Sequence, residues 1–301
     1  MQWRAPQLTD REQIRKLTEK TEYMGNDMAF ANLYLLREKY HTQISFEEGF
    51  LFRKYNGPLQ RKGYAFPSGG DLSRIRDAIE LLSEDAFASG VPFEFCFLSE
   101  AQTRLLEQLY PGRFSFSCDE RESDYIYLTE NLSSFKGRKY HKHRNRASKF
   151  ERTYPDLAVR KIEDPGTAAD AWTVEEKWLA ERSENNEMIA AEKHAIREAL
   201  TDFDALGLRG IVIYAAGRPA AMSIAAEIGS KVSDILFEKS YGEYADNGGY
   251  SVVCRSMAGA LTGKEYINRE EDLGISGLKR SKMSYRPTML FRKYHAHPIN
   301  E

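Results

Sequence analysis

The chain has 301 residues, with 43 Lys and Arg against 45 Asp and Glu, so its formal net charge is only -2. A hydrophobic content of 42% and a charged content of 29% are typical of a globular protein and exclude a disordered one. The length accommodates one large domain or two of about 150 residues each.

The sequence contains no run of about 18 apolar residues, and its first residues lack the apolar core of a secretory signal. We therefore expect neither a transmembrane helix nor export. The three cysteines are far apart and lack Cys-x-x-Cys spacing. Free thiols are favoured over disulfides or a zinc site, and the expected compartment is the cytoplasm.

The first half of the chain is predicted to alternate helices with short strands. Glycine and proline mark the turns, and Gly90 ends a long amphipathic helix. In chain order, the predicted elements are a strand at 1–8, helices at 9–20 and 28–40, strands at 43–47, 50–55 and 63–66, a helix at 72–89, a strand at 91–98, a helix at 100–110 and strand material at 114–128.

The second half is predicted to repeat much the same order. Asp164 and Pro165 supply a helix cap and a first turn, and Gly207 follows the last apolar residue of a second helix. Turns at 216–219 and 229–231 predict an antiparallel meander. The predicted elements are a strand at 157–162, two helices between 164 and 206, strands at 208–215, 220–228 and 232–239, a helix at 250–261, a strand at 264–268, a helix at 276–284 and a strand at 288–294.

This order of elements, found twice, resembles that of the GNAT acyltransferase fold. We therefore expect an α+β protein with two tandem GNAT-like domains, each a mixed, mostly antiparallel sheet flanked by helices. The expected domains are residues 1–134 and 135–301, with the active site in the second. No repeat of residues accompanies the repeat of elements, and one large α+β domain is the alternative.

The segment 136–152 has the highest density of positive charge in the chain. As a helix, it places Tyr140, Ala147 and Phe150 on a buried stripe and its cations outside. Such a helix either binds an anion, such as a phosphate or an RNA backbone, or is a solvated basic connector between domains. The planar guanidinium of arginine can make two hydrogen bonds to one carboxylate or phosphate, and the asparagine amide both donates and accepts hydrogen bonds. The substrate-binding candidates in this segment are Lys142, Arg144 and Asn145.

A second polar segment lies between the predicted strand at 264–268 and the predicted helix at 276–284. Polar groups beyond strand ends commonly form ligand sites in sheets with helical crossovers. Asp272 is a candidate catalytic base, and Asn268 and Arg269 are candidates for binding substrate. Glu271 and Asp272 alternatively cap the helix and favour its dipole.

A second basic set surrounds Tyr285 at the end of that helix. Lys282 and Arg286 share one helical face and are candidates for binding an anionic substrate. Tyr285 is a candidate general acid for a leaving group, provided that its hydroxyl reaches the substrate. The alternative is a core tyrosine whose hydroxyl is hydrogen-bonded within the protein.

The glycine-containing loop before the predicted helix at 250–261 is a candidate donor-binding loop, because N–H groups at a helix N-terminus can bind phosphate. GNAT enzymes that use acyl-CoA usually carry an Arg/Gln-x-x-Gly-x-Gly/Ala string here. This chain has only Asn247-Gly248-Gly249, which argues against ordinary acetyl-CoA binding, and no resident cofactor or metal is expected. The cofactor-binding candidates are Asn247, Gly248, Gly249 and Tyr250.

Three strings resemble a bacterial family grouped with the C-terminal domain of phosphatidylglycerol lysyltransferase. They are residues 31–40 (ANLYLLREKY), 135–150 (FKGRKYHKHRNRASKF) and 266–287 (YINREEDLGISGLKRSKMSYRP), of which the last is the most specific. The resemblance covers nearly the whole chain and implies two GNAT-like domains, similar also to Fem-type peptidoglycan aminoacyltransferases. The larger enzymes of this group move an amino acid from aminoacyl-tRNA to a lipid or peptide amine or hydroxyl. Their membrane-spanning half is not seen in this sequence, so no integral membrane association is expected.

The resemblance implies an acyltransferase or aminoacyltransferase whose anionic donor is aminoacyl-tRNA or acyl-CoA and whose acceptor is an amine or a hydroxyl. Ester transfer needs a base for the nucleophile and hydrogen-bond donors for the oxyanion. Asp272 or Glu238 would be the base, and Tyr285 the acid. The basic helix and the C-terminal loop would line one cleft between the two halves. The residues that hold the anionic donor would be Arg144, Lys282 and Arg286.

A non-catalytic module that uses a GNAT scaffold to bind RNA or a phosphorylated ligand is the alternative function, because a fold does not dictate an activity. A transferase should hold a titratable group with a shifted pKa in a pocket near the basic residues. A binding module should show a broad exposed basic surface.

Overall fold

The computed structural model of the protein describes residues 1–58, 61–182 and 187–299. The strands of these residues form two sheets flanked by helices, and we call each sheet with its helices a lobe. The α+β fold class predicted from the order of elements is confirmed.

The first lobe contains most of the elements that precede residue 120. Its helices are α1 (Arg11–Thr18), α2 (Phe30–Leu35), α3 (Ile75–Ser89) and α4 (Glu100–Leu109). Its strands up to this point are β1 (Gln43–Glu47), β2 (Phe50–Asn56), β3 (Lys62–Tyr64), β4 (Ser68–Gly69), β5 (Phe95–Leu98) and β6 (Phe114–Cys118).

The second lobe contains most of the elements that follow. Its helices are α5 (Thr129–Ser134), α6 (His141–Thr153), α7 (Pro165–Ala180), α8 (Glu187–Thr201), α9 (Phe203–Leu206), α10 (Gly242–Asp246), α11 (Gly249–Ala260) and α12 (Ser276–Ser284). Its strands are β7 (Asp124–Leu128), β8 (Ala158–Lys161), β9 (Arg209–Ala215), β10 (Arg218–Ile228), β11 (Val232–Ser240), β12 (Tyr266–Asn268) and β13 (Met289–Phe291). The last strand, β14 (Tyr294–Pro298), returns to the first sheet.

The two sheets do not correspond to the two halves of the chain, because the C-terminal strand β14 lies in the first sheet. The first sheet has the order β1-β2-β3-β5-β14-β6, with β4 paired to β2, and the second has the order β13-β7-β12-β11-β10-β9-β8. Strand β7 pairs with β12 and β13 in the second sheet, whereas β14 pairs with β5 and β6 in the first. A division at residue 134 therefore does not separate the two sheets, and the domain boundary stays a prediction.

Local signals in the sequence account for several element ends. Gly90 ends α3 in the left-handed conformation at φ 64°. Ser99 forms a capping box with Gln102 at the start of α4, and Asp164 caps α7 with Pro165 in its first turn. The three-stranded meander of β9, β10 and β11 is antiparallel, as predicted.

Some predicted elements are wrong where long-range pairing decides the structure. Residues 1–8 form no strand, and Arg4 makes an isolated bridge to Ile44. The helix predicted at 28–40 is limited to α2. The strand material at 114–128 and the final strand at 288–294 each correspond to two strands that lie in different sheets.

The basic helix α6 packs on the second sheet and does not face the first lobe. Tyr140, Ala147 and Phe150 are buried, as predicted, in a hydrophobic cluster with residues of β9, β10 and α11. A separate hydrophobic cluster joins the lobes and includes Leu33 of α2 and Met222 of β10. The expectation that the basic helix lines a cleft between the two halves is therefore wrong.

Close backbone packing fixes the start of α11 against α6. Gly248 has φ 111°, and a Cβ atom there would lie 2.4 Å from the carbonyl oxygen of Arg146. We expect Gly248→Ala to lower the free energy of unfolding by about 1–3 kcal/mol, because the strained backbone and the contact must both be accommodated. Chemical denaturation measures this change. Gly259→Ala in the same helix meets open space and should instead raise stability by about 0.5–1 kcal/mol, so an equal loss in both variants would contradict the argument.

Candidate functional site

A group of buried and half-buried polar side chains lies where the two lobes meet. It combines residues from the loop before α2, from three strands of the second sheet and from the segments that follow β12 and β13. Buried charges are costly unless they are paired, so such a concentration is unusual for a simple core. We call this group the junction cluster; its members are Asn26, Asp124, Asp234, Asn268, Glu270, Glu271 and Lys293.

Lys293 and Asp124 form the centre of the junction cluster. Their side chains are 1% and 0% exposed, and Nζ lies 2.6 Å from Asp124 Oδ1. The same ammonium donates to Asn26 Oδ1 at 2.7 Å and lies 3.5 Å from Glu271 Oε2. Although burial alone would lower it, attraction from Asp124 and Glu271 raises the pKa of Lys293 above its ordinary value. The lysine is therefore a permanent cation that links the lobes.

Backbone and amide donors complete the shell around Asp124. Its Oδ2 atom accepts from the Asn26 N–H and from Asn268 Nδ2, both at 2.8 Å. Asn268 also donates to the Met24 carbonyl at 2.7 Å. Asn268, a predicted substrate-binding residue, thus lies in the cluster and holds the first lobe against β12.

Asp234 differs from the other carboxylates of the cluster. It is 0% exposed, and among the described residues neither of its carboxylate oxygens accepts a hydrogen bond. Burial raises its pKa well above the ordinary value, and the nearby charges of Glu270 and Asp124 raise it further.

Glu270 and Glu271 are neighbours in sequence with opposite pKa shifts. Burial, together with the charge of Glu271, raises the pKa of Glu270 to about 7. Burial would also raise the pKa of Glu271, but Lys293 and Arg61 outweigh it and lower that pKa to about 2. Asn26 Nδ2 lies 3.2 Å from Glu270 and 3.1 Å from Glu271. Pairs of carboxyl groups whose pKa values are pushed apart are typical of acid–base sites.

Lys282 holds the loop that carries these two glutamates. Its ammonium donates to the carbonyl oxygens of Arg269 at 2.6 Å and of Glu270 at 3.0 Å, and also to that of Glu271. Burial lowers the pKa of Lys282. Glu270 has φ 56°, a left-handed conformation that is costly for a glutamate and recurs at functional sites. The predicted anion-binding lysine is therefore a loop anchor in this structure.

A second polar group lies on the opposite face of the second sheet. Within the described residues, β11 pairs with β12 through 232–234, and its later residues have no strand on that side. Arg269 spans the opening and donates to Glu238 Oε1 at 2.6 Å, while its guanidinium lies 4.5 Å from the ring centre of Tyr285. Burial raises the pKa values of Glu238 and Tyr285. The structure thus brings together Glu238, Arg269 and Tyr285, three of the predicted site residues.

Other residues predicted for the site lie outside the junction cluster and outside the group of Glu238, Arg269 and Tyr285. Asp272 is buried and accepts from the Tyr125 hydroxyl at 2.6 Å and from the Gly274 N–H at 2.8 Å. Arg144 donates to the carbonyl oxygens of Phe135 at 2.6 Å and Gly137 at 3.1 Å. These contacts fix the local backbone. The predicted residues that lie exposed on the surface are Lys142, Asn145 and Arg286.

The predicted donor-binding loop is closely packed. Asn247 donates to the Tyr154 hydroxyl at 3.1 Å, and Trp178 donates to the Tyr250 hydroxyl at 3.0 Å. Gly248 and Gly249 are buried against α6 and β11. These contacts commit the loop to packing, and a donor-binding role for it stays a prediction.

A cavity of about 190 Å³ lies between the lobes, and its lining includes no member of the junction cluster. Met28 and Ala31 line it from the first lobe, and Ala226 lines it from the second. Ala226 is the register partner of Asp234 across β10 and β11. The cavity thus lies one strand away from the unpaired carboxylate.

Sequence reasoning missed most of the junction cluster. Asp124 and Lys293 each lie in or beside a short, mostly apolar strand, and Asp234 precedes the apolar run Ile235–Phe237 of β11, where an ionisable residue is out of place. That signal was available, because a lone charge in a buried strand needs a partner. Glu270 and Asn26 carry no comparable signal, since loops with polar residues are common.

The described residues have no helix with the length and apolar composition needed to cross a membrane. Their His, Cys, Asp and Glu side chains form no group of three or more placed to hold a metal ion.

Comparisons with known proteins bear on the fold and the family. A crystal structure of a conserved protein of unknown function from Bacteroides thetaiotaomicron is 31% identical, has a TM-score of 0.91 and is aligned over 99% of both chains. L-PGS from Bacillus licheniformis has a TM-score of 0.66 at 14% identity, covering 97% of this chain and 93% of that chain. FemX has a TM-score of 0.64 at 10% identity, covering 100% of this chain and 98% of that chain. The last two likenesses concern the fold alone, which is the tandem GNAT-like fold predicted.

No curated protein is detectably similar to the sequence. The family model for the C-terminal region of phosphatidylglycerol lysyltransferase matches residues 18–297. The chain therefore belongs to the family of phosphatidylglycerol lysyltransferase C-terminal domains, and the resemblance noted in its sequence is confirmed.

Proposed function

We propose that the protein is an aminoacyltransferase and that its reaction takes place at the junction cluster. The observation that carries the proposal is the adjacent pair Glu270 and Glu271, both of which contact Asn26 Nδ2, at 3.2 and 3.1 Å, while their pKa values are shifted in opposite directions. A general base is most effective when its pKa is near the working pH. Glu270 meets this condition.

Glu270 would move the proton in the transfer step. The acceptor amine or hydroxyl attacks the carbonyl carbon of the donor ester while Glu270 takes the proton of the nucleophile. The new bond from the acceptor to carbon forms, and the bond from carbon to the leaving oxygen breaks. Glu270 then returns its proton to that oxygen, so one carboxyl group serves as base and then as acid.

Asp234 would bind the ammonium group of the aminoacyl donor. It is fully buried with unpaired oxygens, and Asp124 and Glu270 add negative charge around it. A cationic amino group relieves this charge, whereas a neutral acyl group does not. The donor favoured by this site is therefore aminoacyl-tRNA, as the resemblance implies, and acyl-CoA is disfavoured.

The remaining predicted residues would support the loop. Lys282 fixes the carbonyls of residues 269–271, and Arg269 joins the loop to Glu238 on β11. We propose that Glu238, Tyr285 and Arg269 position the loop from behind, and that Asp272 fixes its end through Tyr125. A cytoplasmic location is proposed with this function and suits the free cysteines.

A binding module without catalysis is the second candidate, and the exposed cations of α6 favour it. The two functions are separated by incubating the protein with charged tRNA and, separately, with acyl-CoA, in the presence of small amines and lipid extracts. Mass spectrometry follows donor loss and new aminoacylated products. We expect aminoacyl-tRNA to be consumed faster than it hydrolyses spontaneously. No turnover with any donor, alongside tight binding of uncharged RNA, would favour the module.

A further inference from the structure

A groove of about 570 Å³ lies between α7 and α8, apart from the junction cluster. Its apolar lining includes Leu179 and Ala190. The polar side chains that line it are basic or histidine, and no carboxylate lines it among the described residues. They are Arg182, Lys193, His194 and Arg197.

The cations of the groove form no ion pair with a described residue, whereas acidic side chains of α8 pair with cations from other elements. Arg37 pairs with Glu198 of α8 at 2.7 Å, and Lys239 of β11 pairs with Glu192 of α8 at 2.7 Å. Arg182, Lys193 and Arg197 are exposed and form no ion pair in the part of the chain that the structure describes. Over the described residues, the groove therefore concentrates positive charge that no ion pair neutralises.

Two tryptophans hold these cations in place. The guanidinium of Arg182 lies 3.6 Å from the ring centre of Trp178, and that of Arg197 lies 4.6 Å from the ring centre of Trp172. Lys193 approaches the Trp172 ring at 6.0 Å. Stacking on a ring restrains a long side chain, so less rotamer freedom is lost when it meets a phosphate.

We propose that this groove binds the phosphodiester backbone of RNA. Lys193 and Arg197 are four residues apart on α8, so their Cβ atoms are about 5–6 Å apart and the two cations can contact successive phosphates. The choice of RNA as the polyanion rests on the proposed function. Beneath the groove, the ring centre of Trp178 lies 3.5 Å from Nζ of Lys239 on β11, the strand that also carries Asp234.

The test measures binding of uncharged tRNA by fluorescence anisotropy at several KCl concentrations. In the double variant Lys193→Ala, Arg197→Ala, the slope of log K against log salt should become shallower by about 1.4–1.8, since each lost phosphate contact removes about 0.7–0.9. The matched control is the double variant Lys62→Ala, Arg113→Ala, which removes two exposed cations of the first lobe and should keep the slope of the wild type.

The outcomes divide clearly. A shallower slope in the groove variant alone, with unchanged thermal unfolding, supports the proposal. An unchanged slope in the groove variant, or an equal change in the control, overturns it. Displacement of the RNA from the wild-type groove by stoichiometric coenzyme A would also overturn it, because the groove would then hold nucleotide phosphates. The measurement needs no turnover, so failure of the groove and failure of the proposed activity are distinguishable.

Discussion

Replacing Lys293 by methionine is expected to lower the free energy of unfolding by about 3–5 kcal/mol, the usual cost of removing one partner from a buried ion pair. The change removes the ammonium that lies 2.6 Å from Asp124 and 3.5 Å from Glu271. Methionine fills most of the volume but supplies no charge, so these carboxylates and Asp234 are left together in a buried site. Urea denaturation, followed by fluorescence and by circular dichroism, measures the loss.

The loss should depend on pH in a defined direction. Burial already raises the pKa of Asp124 to about 6 even with Lys293 present, and removal of the cation raises it further. A carboxyl group whose pKa is higher in the folded state than in the unfolded state favours folding at low pH, and this contribution is lost as pH rises through the folded pKa. The variant should therefore be closest to the wild type at about pH 5 and furthest from it above about pH 7.

A surface lysine provides the control for this prediction. Lys279 pairs with Glu120 at 3.3 Å, and both side chains are about half exposed or more. Lys279→Met should change stability by less than about 1 kcal/mol, because exposed ion pairs are weak. A Lys293 variant that is no less stable than the Lys279 variant, or whose loss is the same at all pH values, would show that the junction cluster is not held together by this charge.

The sequence predicted the local elements of the fold better than their long-range arrangement. Helix ends marked by Gly90 and by Asp164 with Pro165 lie where predicted, because caps and turns depend on neighbouring residues. The exchange of β7 and β14 between the sheets was not predictable in this way. A strand pattern reports an alternation of side chains, and it does not report which distant strand supplies the hydrogen bonds.

For the candidate site too, the sequence predicts the position of a loop better than the contacts of its side chains. The loop after β12 was singled out from its position beyond a strand, and it carries Asn268, Arg269 and Glu270. Charge alone predicts that Arg144 and Lys282 bind an anion, whereas in the structure both donate to backbone carbonyl oxygens. The sequence does not distinguish a lysine or arginine that binds a backbone carbonyl from one that binds a ligand. Burial and tertiary contacts determine which role the side chain has.

Replacing Glu270 by glutamine should lower kcat/KM for transfer by about 10²–10⁴-fold, the usual contribution of a general base. Glutamine keeps the shape and can still accept from Asn26 and Asn32, which contact the Glu270 carboxylate at 3.2 and 3.3 Å. The fold should therefore persist while proton transfer is lost. Initial rates of product formation from aminoacyl-tRNA measure the effect, and thermal unfolding checks the fold.

The pH dependence distinguishes a base from a structural carboxylate. Because Glu270 must be deprotonated to accept a proton and its pKa is about 7, kcat/KM of the wild type should rise with pH to about 7 and then level off. The residual activity of Glu270→Gln should lack this rise. Glu265→Gln, at an exposed position just before β12, should keep both the rate and the profile of the wild type. A profile in Glu270→Gln that rises as in the wild type would assign the titration to another group, with Glu238 behind the loop as the next residue to replace.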